Sequence, residues 1–138
     1  MKVHIVKPNQ QPIEGYQKIE VGPNQMDLGQ VADNECTFIL ANEIADSFSV
    51  EQIGGMILAL VKKLRMNGEI VVGGTDIRLF SKMVLNQQLG EVDACKMVGQ
   101  NMSMSNADIV TQILRNENLQ IHSVQLSGVH YEVTAKRV

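Results

Sequence analysis

Apolar residues recur at Ile53, Met56, Ile57, Leu60, Val61 and Leu64, the i, i+3, i+4, i+7, i+8, i+11 spacing of one helix face. The spacing predicts a helix over Ser49–Met66. Ser49 and Gln52 have the separation of a capping box, and Phe48 and Ile53 that of a hydrophobic staple. Lys62, Lys63 and Arg65 fall near its end, where cations suit the helix dipole. Asn67-Gly68 offers a left-handed stop. Ile70-Val71-Val72 reads as a short buried strand, closed by the flexible Gly73-Gly74-Thr75-Asp76 turn. A helix leading into a buried strand that ends on glycines is half of a parallel βαβ unit. Ligands of such sheets lie beyond the carboxyl ends of the strands.

The remaining pattern is weaker but ordered. Lys2–Val6 reads as a strand, Lys7–Pro12 as a loop with two prolines, and Gly15–Val21 as a second strand ended by Gly22-Pro23-Asn24. Met26–Gln30 is irregular and reads as loop. Cys36–Leu40 is apolar on both faces, as a central strand is. Asn42–Asp46 suits one helical turn. Ile77, Leu79, Phe80, Met83 and Val84 are compatible with a helix, whereas Gly90–Met104 has no clear period. Ser105 with Asp108 opens a further helix with Ile109, Val110, Ile113 and Leu114 on its face. Leu119–Leu126 is a strand, and Ser127-Gly128 a turn. Val129, Tyr131, Val133 and Ala135 then alternate with polar residues, so the chain ends in an antiparallel hairpin. The expected architecture is α/β with a mostly parallel sheet. Strands near 2–6, 36–40 and 69–73 should be parallel neighbours, with the long helix on one face.

Composition narrows the partners. At 138 residues, one domain spanning 1–138 is expected. The apolar fraction of 44% and charged fraction of 20% are those of a soluble globular protein. A net charge of −3 argues against general nucleic-acid binding, which needs surplus Lys and Arg. No apolar run is long enough to span a bilayer, and Met1–Val6 lacks the apolar core of a signal peptide. A soluble, cytoplasmic protein is therefore expected. Cys36 and Cys95 are isolated and read as two reduced, half-buried thiols.

Candidate chemistry is sparse. Glu43 and Asp46 are i, i+3 and could share a helix face, but surface charges at that spacing are far commoner than acid–base pairs. His4, His122 and His130 come from different strands and lack metal-ligand spacing. Ser47 and Ser49 have no glycine elbow, and Gly73-Gly74 is followed by no Gly-Lys-Ser/Thr. Met97, Met102 and Met104 lie in the segment without a period, and flexible apolar side chains of this kind suit an adaptable contact with a partner or a second copy.

The order of elements resembles the class I S-adenosylmethionine-dependent methyltransferases, in particular their short bacterial and phage members. Lys2-Val3-His4-Ile5 is similar to the family's first strand, Gly15–Glu20 to its second, and Asp33-Asn34-Glu35 to the turn before its third. Lys62–Ile70 is similar to the helix exit at a Gly-Gly, and Gly74-Thr75-Asp76 stands at a Pro-Asp position. The resemblance covers nearly the whole chain and implies a Rossmann-like fold with an S-adenosylmethionine site around Val6, Lys7, Glu20 and Asn42. Glu20 stands where the family's acidic residue accepts from the ribose hydroxyls. The family's glycine loop, however, is here Val6-Lys7-Pro8. Pro8 lacks an amide donor, Val6 and Lys7 add bulk, and Lys7 sets a cation beside the cofactor's sulfonium and ammonium. The expectation is a methyltransferase-like chain that holds no cofactor and serves as a non-catalytic binding or structural subunit. The alternative is an active S-adenosylmethionine-dependent methyltransferase on an unknown acceptor.

Overall fold

The computed structural model describes all residues, Met1–Val138. Seven strands form one sheet: β1 (Lys2–Val6), β2 (Gln17–Gly22), β3 (Gln25–Met26), β4 (Cys36–Ala41), β5 (Leu64–Thr75), β6 (Leu119–Ser127) and β7 (His130–Arg137). Four α-helices join them: α1 (Val50–Lys63), α2 (Ile77–Leu85), α3 (Glu91–Gln100) and α4 (Ala107–Asn116), with a 3-10 turn at Ala45–Ser47. The strand order is β3-β2-β1-β4-β5-β7-β6. Strands β1, β4 and β5 are parallel neighbours, as the periodicity predicts. The sheet is mixed rather than mostly parallel. Three of its pairings are parallel, β1–β2, β1–β4 and β4–β5, and three are antiparallel, β2–β3, β5–β7 and β6–β7. The extra antiparallel pair comes from β3, a two-residue strand in a stretch that reads as loop.

Alternation divides the sheet into two faces. Val3, Ile5, Ile19, Val21, Ile39, Ala41, Ile70, Val72, Val133 and Ala135 belong to one core with Ile53, Met56, Ile57, Leu60 and Val61 of α1 and with Val110 and Leu114 of α4. The opposite face carries no helix. The crossover from β1 to β2 is the loop 7–16 and that from β3 to β4 the loop 27–35. A parallel crossover usually takes about a dozen residues or more and holds a helix. Loop 7–16 instead folds back over the sheet. The Ile13 amide donates to His4 Nδ1 at 3.1 Å, and Tyr16 packs edge-on against His4 and Phe38.

Several boundaries differ from the pattern. Helix α1 ends at Lys63, three residues short of Met66, and the chain turns straight into β5. Asn67 does adopt the left-handed conformation (φ 66°), but inside β5, where the register against β4 jumps from Cys36↔Leu64 to Phe38↔Glu69. Gly68 follows because a Cβ there would meet the Cys36 carbonyl at 3.0 Å. No Ser49–Gln52 capping box forms. Ser49 is the N-cap without a side-chain bond, and its own amide donates to Asn24 Oδ1 at 2.7 Å. Helix α4 is capped by Asn106, whose Oδ1 accepts from the Ile109 amide, and not by Ser105. Phe48 and Ile53 are both buried in the core, as a staple requires. Residues 91–100 are helical despite their lack of a period, since only Ala94 of α3 is buried. Cys36 is buried and Cys95 exposed, so the two thiols are not alike. No helix is long and apolar enough to cross a membrane.

Candidate functional site

Strand order reverses between β1 and β4, because the chain leaves β1 for β2 on one side and returns to β4 on the other. The carboxyl ends of these strands therefore flank a switch point, the place where open α/β sheets bind ligands. Two adjoining clefts open there. One, of about 620 Å³, is lined by Pro8, Glu20, Gln25, Met26 and Asp27. The other, of about 410 Å³, is lined by Lys7, Asp46, Ser47, Gln100, Asn101 and Met102. They share Pro8, Val21 and Gly22.

The four residues anticipated for a cofactor are only partly assembled. Glu20 lines the first cleft and Lys7 the second. Glu20 is exposed and pairs with Lys18 at 3.2 Å. Val6 is fully buried, so its side chain fills the end of β1 and lines neither cleft. Asn42 turns to the other side, where its amide donates to Glu132 Oε1 at 3.4 Å. The turn after β1 is closed on itself. The Lys7 amide donates to Gln10 Oε1 at 3.0 Å, the Gln10 amide to the Lys7 carbonyl at 3.1 Å, and Asn9 sits at φ 67°.

Glu43 and Asp46 do not act as a pair. Glu43 is exposed, whereas Asp46 is buried and its carboxylate accepts from the Thr75 amide and the Thr75 hydroxyl, each at 2.7 Å. Asn101 Nδ2 reaches the same hydroxyl at 3.4 Å, and the Met102 amide donates to the Asp46 carbonyl at 2.8 Å. These bonds fasten the segment after α3 to the carboxyl ends of β4 and β5. Sequence reasoning missed Asn101 and singled out Met102 only as a candidate partner contact, since the segment 90–104 has no period that would place either in a cleft. Alongside lies a second buried group: Ser105 Oγ and the Tyr131 hydroxyl are 2.6 Å apart, and Asp76 caps α2 through the Arg78 and Leu79 amides. Burial raises the Tyr131 phenol above its ordinary value, and the charges of Asp46 and Asp76 add to this, against the Ser105 hydrogen bond.

The three histidines have separate surroundings. His4 is buried, and desolvation lowers its pKa against the opposing pull of Glu43. His130 approaches Glu132 at 3.7 Å, and His122 approaches Glu69 at 4.0 Å. No group of three His, Cys, Asp or Glu side chains is arranged to hold a metal ion.

No family model matches the chain, and neither does any curated protein. Solved structures do. An O-methyltransferase family protein from Burkholderia thailandensis superposes with a TM-score of 0.62 at 11% identity, over 88% of this chain and 36% of that one. A SAM-dependent methyltransferase from Archaeoglobus fulgidus gives 0.59 at 8% identity, over 89% and 68%. Magnesium protoporphyrin IX methyltransferase from Synechocystis PCC 6803, with bound SAH, gives 0.58 at 9% identity, over 89% and 52%. This chain has the Rossmann-like fold of the class I SAM-dependent methyltransferases. It spans between about a third and two thirds of the length of these three structures.

Proposed function

We propose that this chain is a methyltransferase-fold protein that does not hold S-adenosylmethionine and works as a non-catalytic binding or structural subunit. The observation that carries the reading is the closed turn after β1. A cofactor lying against the end of β1 needs free backbone amides and a close backbone approach, which favours glycine. Here the Lys7 amide is already taken by Gln10, Pro8 has no amide, and the Lys7 side chain brings positive charge to the cleft wall. No helix follows β1, so no helix N-terminus faces the switch point from that side. The residues present do not fit the group. Among Glu20, Val6, Lys7 and Asn42, only Glu20 offers a plausible contact to ribose hydroxyls. One hydrogen bond to a charged group is worth about 1.5–3 kcal/mol. Micromolar affinity needs about 8 kcal/mol.

Calorimetric titration with S-adenosylmethionine and with S-adenosylhomocysteine tests this. No heat of binding is expected at micromolar concentrations. A micromolar affinity that disappears in Glu20→Ala would restore the reading as an active methyltransferase.

A further inference from the structure

The two edges of the sheet are unlike. One ends in β3, two residues long and preceded by Pro23. Short strands and prolines are what natural sheets use to blunt an edge. The other ends in β6, which runs for nine residues, Leu119–Ser127, and contains no Pro, Lys, Arg, Asp or Glu. No hydrogen bond from a loop or a side chain covers its outer backbone. Val124 and Leu126 are 46% and 57% exposed along it. They stand beside a small groove that also includes Leu79 and Ala107. An uncapped edge of this length and apolarity is a template for another strand.

The sequence of β6 says which strand. It reads Leu-Gln-Ile-His-Ser-Val-Gln-Leu from 119 to 126, and it is nearly the same in both directions about the His122–Ser123 bond. Its faces follow the same symmetry. Ile121 opposes Ala135, and Val124 and Leu126 oppose Val133 and Tyr131, so all three share the face that packs on the helices. Gln120, Ser123 and Gln125 oppose Lys136, Thr134 and Glu132 on the other face, where His122 approaches Glu69. In an unbroken strand Ile121 and Val124, three apart, would point to opposite faces. The register shift between Ile121 and Ser123 brings them to the same one.

We propose that β6 pairs antiparallel with β6 of a second copy of this chain across a two-fold axis, joining the two sheets into one. In that register Leu119 faces Leu126 of the second copy, Gln120 faces Gln125, Ile121 faces Val124 and His122 faces Ser123. Every pair then joins apolar with apolar or polar with polar on a common face: two apolar pairs toward the helices, the amide pair and the His–Ser pair on the open face. A two-fold interface requires a patch that is complementary to itself, and this strand is. The bulge at His122 makes the self-complementarity possible, because without it the central pairs would meet on opposite faces. The inference does not depend on whether the chain binds S-adenosylmethionine.

Sedimentation equilibrium of the intact chain is expected to give twice the monomer mass, and Leu126→Lys to give the monomer mass with an unchanged circular dichroism spectrum. The register is tested separately, in a Cys95→Ser background that removes the exposed native thiol. Gln120→Cys and Gln125→Cys chains are prepared singly, then mixed and oxidised. Directly opposed residues on paired strands have Cβ atoms about 4.5–5.5 Å apart, near enough for a disulfide after a small shift. Disulfide-linked dimer is expected from the mixture and not from either chain alone. A monomer mass at every soluble concentration, a dimer that survives Leu126→Lys with its fold intact, or cross-linking no greater in the mixture than in the single chains would each overturn the proposal.

Discussion

Replacing Asp46 by Ala separates a structural carboxylate from a ligand-binding one. Asp46 is buried at the edge of the second cleft, and its two carboxylate oxygens accept the Thr75 amide and hydroxyl at 2.7 Å each. It is wedged against β5, since a Cβ on Gly74 would stand 2.8 Å from Asp46 Oδ1. With the carboxylate gone, the Thr75 amide is left buried without an acceptor, at a cost of about 1–3 kcal/mol, and a charge-assisted bond to the hydroxyl worth about 1.5–3 kcal/mol is lost. The two overlap because one carboxylate serves both donors, so a net loss of about 3 kcal/mol is expected. That is a large share of the roughly 5–15 kcal/mol that holds a domain together. In urea, with a slope of about 2 kcal/mol/M, the midpoint should fall by about 1.5 M with the slope unchanged. Asp46→Asn keeps an acceptor for the Thr75 amide and should lose less than half as much. A double-mutant cycle with Thr75→Val should return a coupling energy of about 1 kcal/mol or more. A loss within about 0.5 kcal/mol for Asp46→Ala, the range of a surface substitution, would refute the reasoning. The carboxylate would then face water in the cleft and be free for a ligand.

Three further outcomes are expected. Leu60→Ala, at a fully buried position on α1, should lose about 2–5 kcal/mol in denaturant titration. Tyr131 ionises less readily folded than unfolded, so its contribution is fully present below its ordinary pKa of 10.0 and is lost as pH rises through the folded value. Alkaline melts should show this loss in the native chain and a shallower one in Tyr131→Phe. His4 has a folded pKa below its ordinary 6.5, so its contribution is present above that value and is lost as pH falls through the folded one. Its Nδ1 must be unprotonated to accept from the Ile13 amide, so the Ile13 amide resonance should move with the same acid transition in an NMR titration.

What the pattern made legible are the elements whose burial is one-sided or complete. Helix α1 shows through Ile53, Ile57 and Leu60, β4 and β5 through their apolar runs, and the β6–β7 hairpin through strict alternation in β7. Helix α3 was illegible because it buries Ala94 alone, so burial imposes no period on its sequence. Strand β3 was illegible because two residues cannot alternate. The end of α1 was misplaced because Asn67-Gly68 is a strong local stop signal that tertiary structure uses elsewhere, to shift β5 against β4. The Ser49–Gln52 box failed for a similar reason: Asn24, distant in sequence, occupies the Ser49 amide.

The candidate site was legible only where chemistry is local to one strand end. Lys7 and Pro8 stand in the cleft wall because the end of β1 must, and Glu20 because it ends β2 beside it. Asn42 ends β4 but bonds toward Glu132, a contact set by β7 and invisible from its neighbours in the chain. The cleft's far wall, Gln100–Met102, is placed by Asp46 and Thr75, which join three segments remote in sequence. The same distribution bears on function. In the half of the sheet beside the clefts, β1 and β2 are joined by a loop without a helix, and the first turn closes on Gln10. The other half, β5 to β7, has long strands paired along most of their length, with one register shift at His122. Regular structure is concentrated at the uncharged β6 edge and sparse around the clefts beside β1 and β2, an arrangement that favours the proposed binding or structural role.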